Sequence, residues 1–180
     1  MTDVDAAPVD AIVMRGFHGH EKTIANHHDW ITPKPIIDAL GLFDLDPCQS
    51  RNQPWPCAAR GYTADDDGLT KPWIGSVWMN PPYGREIERW IARLAEHGDG
   101  VALMFARTDT RWFQKTCRTF SAMLLLAGRV RFFDGQGRKF DRTGGGASAT
   151  SPSVLIAFGE ACGRRLLESS LDGIRVVPHA

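Results

Sequence analysis

The turn Asn80-Pro81-Pro82-Tyr83 combines hydrogen-bond acceptors with an aromatic ring. Its two prolines remove two N–H donors and fix φ, so the turn is rigid and presents carbonyl oxygens. Asn80 adds a side-chain carbonyl, and Tyr83 adds an aromatic face. A planar ring that carries an exocyclic NH2 group could stack on Tyr83 while Asn80 and the Pro81 carbonyl accept its two hydrogens. The alternative interpretation is a strand-to-helix turn built from two prolines, with no chemical role.

The same arrangement favours a reaction at the amino nitrogen. An aryl amine is a poor nucleophile because its lone pair is delocalised into the ring. Two acceptors outside the ring plane favour a more tetrahedral nitrogen, and they bind it more strongly as positive charge develops there. The turn therefore predicts in-line attack by an NH2 group on an electrophile.

The residues around this turn predict an α/β sheet. An apolar strand at 76–79 precedes the turn, and a helix follows in which Ile87, Trp90, Ile91 and Leu94 recur at helical spacing. Strands and helices alternate in the front half of the chain and strands predominate in the back half, which indicates a mostly parallel sheet with an antiparallel edge. The other predicted strands are 42–46, 60–63, 101–106, 122–126, 130–133, 153–158 and 174–177.

Two polar motifs fall where predicted strands end. Asp46-Pro47 closes the strand at 42–46, as the Asn80 turn closes the strand at 76–79. Ligands of such sheets bind at the carboxyl ends of the strands. Upstream, Thr32-Pro33 predicts a helix start with Thr32 as N-cap and Pro33 at the first helical position.

Several blocks of the chain, taken in order, resemble the short phage-type DNA N6-adenine methyltransferases, which use S-adenosylmethionine. The resemblance covers roughly residues 28–160 and rests on the ordered run of blocks more than on any one of them. It implies an abbreviated Rossmann-like class I methyltransferase sheet and site-specific methyl transfer to the N6 amino group of a flipped or unpaired adenine. The blocks are 29–33, 43–48, 67–69, 73–84, 106–113, 128–132 and 151–155.

The resemblance also implies a set of cofactor-binding residues. Asp46 and Pro47 would border the methionine part of S-adenosylmethionine, and Thr32 and Pro33 would flank the cofactor. Asp67 is a candidate for its ribose or adenine by loop position only. Simpler interpretations are a polar residue at a strand end, an N-cap and a solvated acidic turn.

The loop after Asp46 departs from the usual pattern of this superfamily, Asp-Pro-Phe-x-Gly-x-Gly. It reads Asp46-Pro47-Cys48-Gln49-Ser50 and contains no glycine, which is the residue that lets backbone approach a ligand closely. Only 34 positions separate Asp46 from Asn80. We therefore expect part of the sheet to be abbreviated and the cofactor site to be completed by other segments.

The formal net charge is zero, from 21 Lys plus Arg and 21 Asp plus Glu, but the charges are not evenly spread. Residues 1–70 hold eleven acids and five bases, whereas residues 104–142 hold nine bases and three acids. Lys and Arg supply the phosphate contacts of DNA-binding proteins, so the basic segment and the Gly-rich loop at 135–150 are candidates for DNA contact. An exposed hairpin is the simpler interpretation of that loop. The predicted DNA-binding residues are Arg107, Arg111, Lys115, Arg129, Arg138, Lys139 and Arg142.

Length and composition predict a soluble, cytoplasmic protein with one methyltransferase domain at 29–180 and an N-terminal arm at 1–28. No apolar run reaches the roughly 20 residues of a membrane span, and the acidic N-terminus is unlike a secretion signal. The four arm histidines match no zinc pattern, so no metal is expected. The resemblance implies a phage or prophage protein that acts on DNA in a bacterial host. Monomer and homodimer remain equally open.

Two other functions fit parts of the sequence. A protein methyltransferase that modifies a glutamine side-chain amide would use the same acceptors, and a non-catalytic DNA-binding relic would explain the missing glycines. The block at 106–113 and the basic loop favour DNA as substrate.

Overall fold

The computed structural model describes residues 30–134 and 151–179. Seven strands and four α-helices lie within these ranges, with a 3₁₀ turn at Cys117–Thr119. The predicted arm at 1–28 and the loop at 135–150 fall outside the described residues, so the domain boundaries remain predictions. In chain order the elements are α1 Lys34–Leu40, β1 Phe43–Asp46, β2 Ala58–Gly61, β3 Val77–Met79, α2 Ile87–His97, β4 Gly100–Phe105, α3 Arg111–Thr116, β5 Ala122–Leu126, β6 Ser153–Phe158, α4 Glu160–Glu168 and β7 Gly173–Val176.

All seven strands join one sheet in the order β2-β1-β3-β4-β6-β5-β7. The first four are parallel to one another, and β6, β5 and β7 each pair antiparallel with their neighbours. The predicted α/β sheet, mostly parallel in its first part with an antiparallel edge, is therefore confirmed. The apolar run that forms β4 is buried on both faces, as a central strand requires.

Helices cover both faces of this sheet. Ile36, Ile37 and Leu40 of α1 share one apolar cluster with Leu166 of α4. On the opposite face, α2 contributes its helical stripe to a second cluster, together with Phe113 of α3. Alternate residues of β4 belong to the two clusters, as expected for a strand between two layers.

The front of the sheet is abbreviated, as the short spacing from Asp46 to Asn80 predicts. Neither the connection 47–57 nor the connection 62–76 forms a helix, although both join parallel strands. Trp55 and Cys57 of the first connection pack into the cluster beside α1 instead. This places two long loops next to the carboxyl ends of β1 and β2.

Two predicted local structures are wrong. The strand at 130–133 does not join the sheet, and Phe133 pairs in an isolated antiparallel bridge with Ile31. Thr32 is not the N-cap of α1 and Pro33 is not its first helical residue, because the helix begins at Lys34 with Pro33 as an extended cap that makes no side-chain hydrogen bond. The bridge at Ile31 keeps the segment before α1 extended, and Thr32 is buried next to this bridge.

No helix in the two described ranges is long and apolar enough to cross a membrane.

Candidate active site

The carboxyl ends of β1 and β3 meet at one edge of the sheet. The two strands are parallel neighbours, with Leu45 in register with Val77, so Asp46 and Asn80 follow at the same edge. Burial raises the pKa of the Cys48 thiol, and the nearby main chain of Asn80 partly opposes that rise, so the loop after β1 lies beside the turn after β3. The structure thus brings together the two polar motifs that the sequence places at strand ends.

Among the described residues, only the nitrogen end of the Asn80 side-chain amide has a hydrogen-bond partner. Its Nδ2 donates to the main-chain oxygen of Trp30 at 2.5 Å. Its Oδ1 is buried and has no partner among residues 30–134 and 151–179. A buried acceptor without a partner costs about 1–3 kcal/mol, and the N–H group of a ligand would relieve that cost.

The ring of Tyr83 lies against other aromatic rings. It stacks on Phe105 with 4.0 Å between ring centroids and an interplanar angle of 16°, and it meets Trp30 edge-on at 6.5 Å. Phe105 therefore occupies one face of the Tyr83 ring. Burial raises the pKa of the hydroxyl above its usual value, and the hydroxyl has no hydrogen-bond partner in the described part of the chain.

Asp46 is a buried carboxyl group whose hydrogen-bond donors among the described residues belong to Cys48. It is 4% exposed, and its Oδ1 accepts the main-chain N–H of Cys48 at 3.1 Å. Burial raises its pKa to about 7, and no cationic side chain of the described residues offsets that effect. The contact with Cys48 gives Asp46 a structural role. A cationic group of a ligand could also pair with the Asp46 carboxylate and stabilise its charged form.

Two glycines of later segments lie against the loop that follows Asp46. A Cβ at Gly68 would overlap the carbonyl oxygen of Pro47, and one at Gly61 would overlap the side chain of Gln49. At Gly68 the overlap is with main-chain atoms, so only glycine permits that close approach. The segment from β2 to Asp67 therefore packs directly on the loop that follows β1. Asp67 itself is exposed, with a left-handed φ of 51°.

Thr32 and Pro33 follow shortly after Trp30, whose main-chain oxygen accepts a hydrogen bond from the Asn80 side chain. Thr32 is 2% exposed, and its Oγ1 has no partner among the described residues. Its main-chain oxygen accepts the indole N–H of Trp55 at 3.0 Å. The role of Thr32 and Pro33 in cofactor binding remains a prediction.

Basic residues follow the strand that supports Tyr83. Phe105 ends β4. Arg107 is exposed on the segment between β4 and α3, and Arg111 and Lys115 are exposed on α3 itself. Neither Arg111 nor Lys115 forms an ion pair with another described residue. Arg129 is exposed after β5. The other three predicted DNA-binding residues, Arg138, Lys139 and Arg142, lie outside the described ranges.

No metal-binding group of three or more His, Cys, Asp or Glu side chains exists in the described ranges. The four histidines of the arm are not part of them.

Sequence reasoning did not find three aromatic contacts of the site. Trp30, Phe105 and Phe132 surround Tyr83 or the segment beside it. Their only sequence signal is their occurrence inside the family-like blocks or next to them.

A family model described as "DNA N-6-adenine-methyltransferase (Dam)" matches residues 20–161. Neither the curated proteins nor the solved structures gave a match to the chain. The family match covers well over half of the 180 residues, including β1, the Asn80 turn and all of β6. The chain therefore belongs to the DNA N-6-adenine-methyltransferase (Dam) family, as its blocks indicate, and the activity of this family is adenine-N6 methylation of DNA.

Proposed function

We propose that this member of the family transfers a methyl group from S-adenosylmethionine to the N6 amino group of an adenine that has left the base stack. The observation that carries the proposal is the buried Oδ1 of Asn80, which has no partner among the described residues. An amino group offers the N–H donor that this oxygen lacks. The Pro81 carbonyl is the proposed acceptor of the second hydrogen.

These two oxygens would also raise the reactivity of the amino group. Held outside the ring plane, the N–H bonds favour a tetrahedral nitrogen whose lone pair is available for attack. S-adenosylmethionine, when bound, would supply an electrophilic methyl group on a sulfonium. Asn80 and Pro81 would stabilise the positive charge that develops on nitrogen, so they favour the transition state over the bound substrate.

The chemistry of Asp46 supports a cationic cofactor. Its carboxyl group is buried without a cationic side chain among the described residues, and S-adenosylmethionine carries both a sulfonium and an ammonium. Gly61 and Gly68 support the same assignment, because they let backbone segments close around the loop that begins at Asp46. Thr32 and Pro33 would complete the site from the side of Trp30, and Asp67 is the proposed partner of the ribose or adenine.

Burial of the Asn80 oxygen supports an extrahelical target. An adenine inside a duplex cannot bring its N6 to a buried acceptor, so the base must be flipped out or already unpaired. The face of Tyr83 opposite Phe105 is the proposed stacking surface. The segment that follows β4 at the same edge of the sheet carries Arg107, Arg111 and Lys115. These residues would bind phosphates of the DNA strand.

The decisive experiment incubates the full chain with labelled S-adenosylmethionine and three acceptors: DNA, DNA without adenine, and total bacterial protein. Label should enter only the adenine-containing DNA, and digestion should recover it as N6-methyladenine. Label in protein alone, or equal label in adenine-free DNA, would overturn the proposal. Sequencing of modified bases in DNA from cells that express the chain then identifies the target site.

A further inference from the structure

Trp30 contacts both chemical parts of the turn. Its main-chain oxygen accepts the Asn80 Nδ2–H at 2.5 Å, and its indole meets Tyr83 with ring centroids 6.5 Å apart and an interplanar angle of 70°. It lies 50 residues before Asn80 in the chain. The cofactor roles proposed for Thr32 and Pro33 do not include it.

The Trp30 oxygen selects one orientation of the Asn80 amide. A carboxamide presents a donor nitrogen at one end and an acceptor oxygen at the other. A carbonyl only accepts, so the nitrogen must face Trp30 and Oδ1 must face away from it. The flipped amide would set two oxygens against each other and would present donors to an amino group, which is itself a donor.

The segment that carries this carbonyl is held from both sides. Ile31 and Phe133 exchange two main-chain hydrogen bonds of 3.0 Å. The Trp30 ring packs on Phe132 at 5.1 Å between centroids, and the Trp55 indole packs on Phe133 at 5.1 Å while donating to the Thr32 oxygen. Because Phe132 is fully buried, the Trp30 ring rests on a rigid surface.

We propose that Trp30 is a positioning residue for the methyl acceptor: ring packing on Phe132 and Tyr83 keeps its carbonyl where it orients Asn80. The inference rests on the proposed function, because orientation of the amide matters only if Oδ1 receives the target amino group. Trp30 does not itself touch the reacting atoms in this role.

The test uses the full chain with Trp30→Ala, Trp30→Phe and a matched control, Trp112→Ala. Trp112 is also half-buried, but its ring packs on Phe113 of α3. One readout is the side-chain amide resonance of Asn80 in the protein without ligands, assigned by its loss in Asn80→Ala. The other is the separation of kcat from KM in DNA methylation.

We expect Trp30→Ala to shift or broaden the Asn80 resonance and to lower kcat at least tenfold, while KM for S-adenosylmethionine changes less than threefold. Trp30→Phe should recover most of both properties because a ring still packs on Phe132. Trp112→Ala should leave the Asn80 resonance unmoved, because the Trp112 ring packs on Phe113 of α3. If Trp30→Ala does not fold, Trp30→Leu is judged by the same criteria.

An unmoved Asn80 resonance in Trp30→Ala overturns the inference, whatever the activity. So does an unchanged kcat in a variant whose resonance has moved. A wild-type chain that does not methylate DNA, but whose Asn80 resonance responds to Trp30→Ala and not to Trp112→Ala, refutes the proposed function alone.

Discussion

Replacement of Asn80 by alanine should separate catalysis from stability. The substitution removes two features with opposite effects on the free energy of unfolding. The hydrogen bond from Nδ2 to the Trp30 oxygen contributes about 0.5–1.5 kcal/mol, whereas the buried Oδ1 without a described partner costs about 1–3 kcal/mol. The effects largely cancel, so we expect Asn80→Ala to change the free energy of unfolding by less than about 2 kcal/mol.

The effect on turnover should be much larger. Oδ1 is proposed to accept a hydrogen from a nitrogen that becomes positively charged, so its contribution is greatest in the transition state. Loss of one preorganised group of this kind lowers kcat by about 10²–10³, which corresponds to about 3–4 kcal/mol of barrier. Affinity for S-adenosylmethionine should stay near that of the wild type.

Three measurements on the full chain check this reasoning. Urea unfolding gives stability, calorimetry gives the cofactor Kd, and label transfer at saturating DNA gives kcat. Asn52→Ala is the matched control, because that side chain is exposed in the loop after β1. A kcat within threefold of wild type would refute the role of Oδ1. A stability loss above about 3 kcal/mol, with parallel loss of cofactor binding, would show that Asn80 is structural.

Three further predictions concern the ring, the carboxyl group and the basic face. Tyr83→Phe removes a buried hydroxyl without a described partner but keeps the stack on Phe105, so urea unfolding should show unchanged or higher stability. A clear loss of stability in Tyr83→Phe would contradict this. Tyr83→Ala, which removes the ring, should abolish methylation. Burial raises the Asp46 pKa to about 7. Between about pH 4 and about pH 7 the folded state therefore keeps a proton that the unfolded state has lost, so the free energy of unfolding should fall as pH rises through this range and then level off. Asp46→Asn should abolish that slope in urea titrations, and a slope that persists would exclude Asp46 as its source. Arg111→Glu combined with Lys115→Glu should weaken DNA binding and leave the cofactor Kd unchanged. The slope of log K against log salt concentration should fall by the amount expected for the loss of about two phosphate contacts. Equal loss of DNA and cofactor binding would argue against a DNA-binding role for these two residues.

Local patterns in the sequence predicted a chemistry for the Asn80 turn and most of the helices and strands that the structure contains. The Asn80 turn combines acceptors and a ring within four residues, so its chemical possibilities follow from residue types alone. The helical stripe of α2 and the apolar run of β4 are likewise local, because burial on one face or on two faces imposes a period on neighbouring residues. The prediction of a strand at 130–133 was wrong, although this segment too has a local pattern, an alternation of buried and exposed residues. Its buried Val130 and Phe132 alternate with exposed Arg131, but pairing depends on which segment lies alongside.

What the sequence by itself determined, then, is the kind of reaction, the α/β fold class and the strand ends where the polar motifs lie. The tertiary structure alone decided how those groups are oriented: the Trp30 carbonyl turns the Asn80 oxygen away from itself, Phe105 occupies one face of Tyr83, and Gly68 closes on Pro47. Each of these contacts joins segments that are distant in the chain. A side chain's residue type limits the hydrogen bonds that it can make, but which of them form depends on groups that only folding brings within about 3 Å.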